Sequence, residues 1–126
     1  MQFTIKTTKQ EEVIDITSKV EECIKVKEGI ALVYTPHATA SIIINENYDP
    51  NICLDILEAL SNLIPQGKWK HDKIDNNGAA HIKAAILGPS ESIPIKDGKL
   101  QLGQWQSIML VELDGPRERT IIVKVK

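Results

Sequence analysis

The stretch Ser92–Lys126, SIPIKDGKLQLGQWQSIMLVELDGPRERTIIVKVK, decides the fold. SIPIK at 92–96 alternates polar and apolar residues, as a strand with one wet face does. Asp97-Gly98 is a two-residue hairpin signal, because a type I′ turn needs positive φ at both central positions. The returning segment LQLGQWQSIMLVEL is long enough for a strand that bends or bulges near Gly103. Asp114-Gly115-Pro116-Arg117 turns the chain again, into a last strand TIIVKVK.

Working back toward the N-terminus, AAHIKAAILG holds helix formers stopped by Gly88-Pro89. The preceding DNNG at 75–78 is a turn by composition. Ile52, Leu54, Ile56, Leu57, Leu60, Leu63 and Ile64 mark a helix of three to four turns, capped by Asp49 or Asn51 and stopped by Pro65. ASIIINE at 40–46 is too continuously apolar for an exposed strand and is expected at the centre of a sheet. Ile30–Tyr34 reads as a buried strand broken by Thr35-Pro36. A helix from Thr17 or Ser18 to about Lys27 buries Val20, Cys23 and Ile24. QFTIKTT at 2–8 and EVIDIT at 12–17 read as strands joined at Lys9-Gln10. The sum is an α+β fold: one compact domain over residues 1–126, with a mixed or antiparallel sheet and helices packed on it.

The 126 residues carry a net charge of −2, so no basic field draws in nucleic acid or an anionic membrane surface. No apolar run approaches a membrane span, and Met1 leads straight into strand-like residues without a secretory pattern. A cytoplasmic protein is expected. Cys23 and Cys53 belong to no CxxC pair or zinc spacing and read as small buried apolar residues.

The chemistry concentrates at element boundaries, where scaffolds place binding groups. The only three histidines are there: His37 after Thr35-Pro36, His71 after the Trp69 loop, His81 at the start of a helix. They are either three neutral imidazoles around a zinc-like ion with an open position, or partly exposed rings bonded to backbone and water. Glu46, Asp49, Asp72, Asp75 and Glu112 are the nearby acids. Glu112 interrupts MLVEL; if it faces the core, a bond to an imidazole N–H would justify its burial. Lys68, Lys70, Lys83 and Arg117 offer charge to a phosphate, with Arg117 ranked first because Gly115-Pro116 places it. Trp69 and Trp105 could stack on a flat ring or simply pack. No P-loop, GxGxxG or GxSxG motif is present.

YTPHATASIIINENYDP, HDKIDNNGAAHIKAAILGPS and IPIKDGKLQLGQWQSIMLVELDGPR together resemble the YjbQ family of secondary thiamine-phosphate synthases. The resemblance runs in unbroken order from Tyr34 to Arg117. It implies a compact α+β homotrimer with a polar site. His37, His71 and His81 match the family histidines; Glu46, Asp49, Asp75, Asn77, Gln106 and Glu112 match its acidic and amide positions. Ala38 stands where threonine is usual, and Gly78-Ala79-Ala80 lacks an acid often found before His81. The implied activity joins an aminopyrimidine diphosphate to a thiazole phosphate with release of pyrophosphate, as a secondary activity. Arg117 or Lys83 would meet the phosphates, Trp105 the ring, and a divalent ion, zinc or magnesium, the imidazoles or carboxylates. Other readings are a metal-dependent hydrolase of a small phosphorylated or amide compound, or a non-catalytic trimeric metabolite-binding protein.

Overall fold

A computed structural model describes residues 1–126. Eight strands and three helices follow one another: β1 (Gln2–Lys6), β2 (Glu12–Asp15), α1 (Thr17–Glu21), β3 (Glu28–Tyr34), β4 (Ala40–Glu46), α2 (Pro50–Leu63), α3 (Gly78–Leu87), β5 (Ser90–Lys96), β6 (Lys99–Leu100), β7 (Gln106–Glu112) and β8 (Glu118–Val125). A 3₁₀ turn, Lys70–Lys73, lies between α2 and α3. All pairings are antiparallel and make two sheets, β1-β8-β3-β5-β6 and β2-β7-β4. The α+β class and the single domain stand as read from the sequence. No helix is long and apolar enough to cross a membrane.

The two sheets face each other across a core that includes Val33, Ile42, Ile93, Ile108, Leu110, Ile121 and Val123. On the other side of the smaller sheet, Val111 and Leu113 pack with Ala80 and Ala84 of α3 and with Leu57 of α2. The layers are therefore large sheet, small sheet, helices. β7 is central in the small sheet and buried on both faces, so its run IMLV has no polar phase.

Four local expectations change. ASIIINE forms an edge strand, not a central one. Its apolar run arises because one face meets the core and the other meets α3, where the Ser41 hydroxyl donates to the Ala84 carbonyl at 3.4 Å. β1 and β2 do not share a sheet: β1 pairs with β8, β2 with β7. α1 ends at Glu21, not near Lys27, and Thr17 does not cap it. Its hydroxyl accepts the Ile108 N–H at 2.9 Å and pins α1 to β7. Ile30–Tyr34 is buried on one face only, leaving Ile30, Leu32 and Tyr34 exposed in a row.

The hairpin at Asp97-Gly98 forms as expected, with φ of 52° and 77°. At Gly103 the chain leaves the large sheet, turns, and enters the small one. The turn is closed by Gln106, whose Oε1 accepts the Gly103 N–H at 2.8 Å. The Asp49 carboxylate caps α2 by accepting the Asn51 N–H at 2.9 Å.

Candidate functional site

α3 positions the centre of the site. Its N-terminus is fastened to the loop before it by Asp72, whose carboxylate accepts the Trp69 N–H at 3.0 Å and the Gly78 N–H at 2.8 Å. These bonds hold the Asp72 carboxyl below its ordinary value of 3.8. The loop lies so close that a Cβ on Gly78 would meet Trp69 Cβ at 2.7 Å and Asp72 Oδ1 at 2.9 Å. Gly78→Ala is expected to lower stability by about 1–3 kcal/mol and to deprotect the Trp69 and Gly78 amides in hydrogen exchange.

This docking puts His71 against His81, ring centroids 4.6 Å apart and planes at 77°. Asp75 lies 3.8 Å from His71 Nε2. The pair opens on a groove of about 530 Å³ lined by Lys68, Trp69, Lys70, His71, Gly78, His81 and Ile82. A second hollow of about 370 Å³ adjoins it through His81 and reaches His37, Ala38 and Ala40. His37 therefore shares this second hollow with His81, but its Nε2 accepts the Thr120 N–H at 2.9 Å. Burial lowers its pKa from the ordinary 6.5, the nearby Arg119 and Arg117 add to this, and Glu112 partly offsets it. The ring is thus held neutral. Protonation then favours the unfolded chain, so this group's contribution to stability is full above about pH 6.5 and is lost as pH falls toward the lower folded value. Denaturation from pH 7.5 to 5 should show this loss, and His37→Gln should lessen it.

Three imidazoles do not converge. His37 already uses Nε2, and no group of three His, Cys, Asp or Glu side chains is arranged to hold a metal ion. The donors of one chain thus do not fit the expected three-histidine centre.

Glu112 and Arg119 lie beneath the His37 side, 0% and 3% exposed. Arg119 Nε donates to Glu112 Oε2 at 2.8 Å and its Nη2 to Thr39 Oγ1 at 2.9 Å. Glu112 also accepts the Thr7 hydroxyl at 2.8 Å and the Asp114 N–H at 3.0 Å. The core-facing acid of the sequence reading is real, but its partner is a guanidinium, not an imidazole. Arg119 went unnoticed in the sequence, although in ERTIIV it shares the inward phase of Ile121 and Val123.

Asn77 donates from Nδ2 to Asp114 Oδ2 at 2.8 Å, while its Oδ1 is buried without a partner. Arg117 is tied to the same Asp114, Nε to the carbonyl at 2.6 Å and Nη2 to the carboxylate at 3.0 Å. Lys83 lies on the opposite side of α3 from His81. It is 5% exposed and donates to Glu11 at 2.8 Å and Ser61 at 3.1 Å. It anchors the helix and does not reach the groove. The cations that do are Lys68 and Lys70. Glu46, Gln106 and Trp105 lie at the far end of the small sheet, with Glu46 paired to Gln106. Trp105 meets Tyr48 there edge to face. Cys23 and Cys53 are buried free thiols, as read.

The model of the family described as UPF0047 protein YjbQ-like matches residues 1–126. A UPF0047 protein of Archaeoglobus fulgidus is 50% identical, covering 98% of both chains. UPF0047 protein YugU of Bacillus subtilis is 42% identical over 96% of this chain and 94% of its own. The crystal structure of an uncharacterized conserved protein of the yjbq/upf0047 family from Clostridium acetobutylicum superposes with a TM-score of 0.96 at 43% identity. The match covers 100% of this chain and 99% of that one.

Proposed function

This chain belongs to the YjbQ-like UPF0047 family, and on that premise we propose that it is a cytoplasmic, homotrimeric enzyme acting on a small phosphorylated heterocycle by thiamine-phosphate synthase-type transfer. The observation that carries the reading is the contact between His71 and His81 at a groove whose mouth holds Lys68 and Lys70. Transfer breaks the C–O bond between the pyrimidine methylene and the diphosphate, and negative charge builds on the leaving oxygen. The thiazole nitrogen supplies the electron pair for the new C–N bond. Lys68 and Lys70 attract and hold the diphosphate. An imidazole of the pair gives a proton to the departing oxygen, and Asp75 orients the His71 ring.

The test is incubation of the chain with aminopyrimidine diphosphate and thiazole phosphate, with thiamine phosphate and pyrophosphate measured together. Both should appear in equal amounts. Replacing Lys68 and Lys70 with Gln should raise KM about tenfold, the effect of roughly 1.4 kcal/mol of lost binding. Thermal stabilisation by these compounds without turnover would replace the enzyme by a metabolite-binding protein. Neither turnover nor stabilisation would end the reading.

A further inference from the structure

On the side of α3 turned away from the His71–His81 groove lies a separate cavity of about 330 Å³. Lys83 is its most buried polar member, with Glu11, Ser61 and Gln66 around it and Ala80 and Leu113 as an apolar wall. The space is about ten times the roughly 30 Å³ that one water takes in the liquid. It is too large for a single bridging water and stands at the small end of ligand sites.

The hydrogen bonds around Lys83 are incomplete. An ammonium has three N–H donors and no acceptor. Lys83 gives one to Glu11 Oε2 at 2.8 Å and one to Ser61 Oγ at 3.1 Å, and the third meets no acceptor of the chain. The Ser61 hydroxyl accepts from Lys83, and its own proton goes to no other group. On the acceptor side, Glu11 Oε1 receives nothing. Gln66 donates from Nε2 to the Asn76 carbonyl at 2.7 Å, which leaves its Oε1 free. The Lys83 and Glu11 side chains are 6% and 30% exposed, so the cation sits in the dry end and the carboxylate reaches the mouth. A dry ammonium one bond short is costly, and a ligand oxygen would complete it.

Charge narrows the class of ligand. Lys83 and Glu11 cancel, so the cavity holds no net field for a phosphate, and the Glu11 carboxylate repels one. The matching molecule carries both signs side by side. We propose that this cavity binds a free α-amino acid. The ligand carboxylate accepts the third Lys83 proton and the Ser61 hydroxyl, two donors 3.1 Å apart that suit the two oxygens of one carboxylate. The ligand ammonium donates to Glu11 Oε1 and Gln66 Oε1. Ala80 and Leu113 face the side chain and favour a small or apolar one.

The test reads binding alone, so it stands apart from any turnover at the groove. The full chain is titrated, by melting and by calorimetry, with glycine, L-alanine, L-serine and L-valine. Each is run beside its N-acetyl and methyl ester forms, and inorganic phosphate is run separately. At least one free amino acid should raise Tm by several degrees when present a hundredfold above its Kd. Both blocked forms should bind at least tenfold more weakly, since each lacks one of the two charges, and phosphate should have no effect. Ser61→Ala should weaken the free amino acid about tenfold, the loss of one hydrogen bond to a charged group. Glu11→Gln keeps an oxygen for Lys83 but removes the negative charge, so the N-acetyl form should gain on the free amino acid. A chain that no free amino acid stabilises, or that takes the blocked forms or phosphate equally well, overturns the proposal. So does binding that both variants leave unchanged.

Discussion

Glu112→Gln is expected to lower the unfolding free energy by about 3–5 kcal/mol, because it leaves the Arg119 guanidinium in a dry site without its carboxylate. For a domain of this size that is a fall in Tm of roughly 10–20 °C. Arg119→Met should cost a similar amount by stranding Glu112. The double variant Glu112→Leu, Arg119→Met should recover a large part of the loss, since two apolar groups need no partner. The Thr7 and Thr39 hydroxyls and the Asp114 N–H keep the recovery incomplete. The pH dependence follows from the same contacts. Burial alone would raise the Glu112 carboxyl, but Arg119, the Asp114 N–H and Thr7 outweigh it and hold the group below its ordinary 4.5. Its contribution is complete above about pH 4.5 and is lost as pH falls through the lower folded value. Glu112→Gln should therefore flatten the acid limb of the stability curve. Urea titration of the three variants at pH 7 and pH 4 checks both statements, and a single-variant loss under 1 kcal/mol would refute the first.

The second large effect falls on rate. If the imidazole pair transfers the proton, His81→Gln should lower kcat by 10²–10⁴ with KM little changed. Stability should move by less than about 0.5 kcal/mol, because His81 is a partly exposed groove residue with no side-chain hydrogen bond to lose. His71→Gln should match it. The double variant should be little worse than either, as residues acting as a unit are not additive. Lys70→Gln should act on KM instead. A His81 variant that keeps full kcat would remove the pair from the chemistry, whatever its melting curve.

Much of the fold was legible because it rests on local chemistry. Asp97-Gly98 needs left-handed backbone, Asp49 caps α2, and Val111 and Leu113 flank Glu112 in opposite phase. Pairing was not legible. Alternation in QFTIK and EVID tells that each is a strand with one wet face, but not that they belong to different sheets. ASIIINE read as central because a run buried on both faces looks alike whether a strand or a helix supplies the second cover. At the site, His71 and His81 could be placed near each other, since one turn and the first turn of α3 connect them. His37 could not. Its neutral ring depends on the Thr120 N–H and on Arg119, both more than 80 residues away in sequence. Lys83 was misjudged for a simpler reason: two residues after His81 on a helix is the opposite face.

The pairing of β1 with β8 joins the first strand to the last, and the Met1 amino group donates to the Val123 carbonyl at 2.8 Å. On the ribosome, Phe3 and Ile5 must wait for almost the whole chain to emerge before their cover exists. Closure of the large sheet is accordingly a late event, on the slow millisecond-to-second scale of folds ruled by distant contacts. The same adjacency makes the ends easy to splice. A circular permutant joining Lys126 to Met1 through a short glycine linker and opened at an exposed loop would turn that last step into an early, local one.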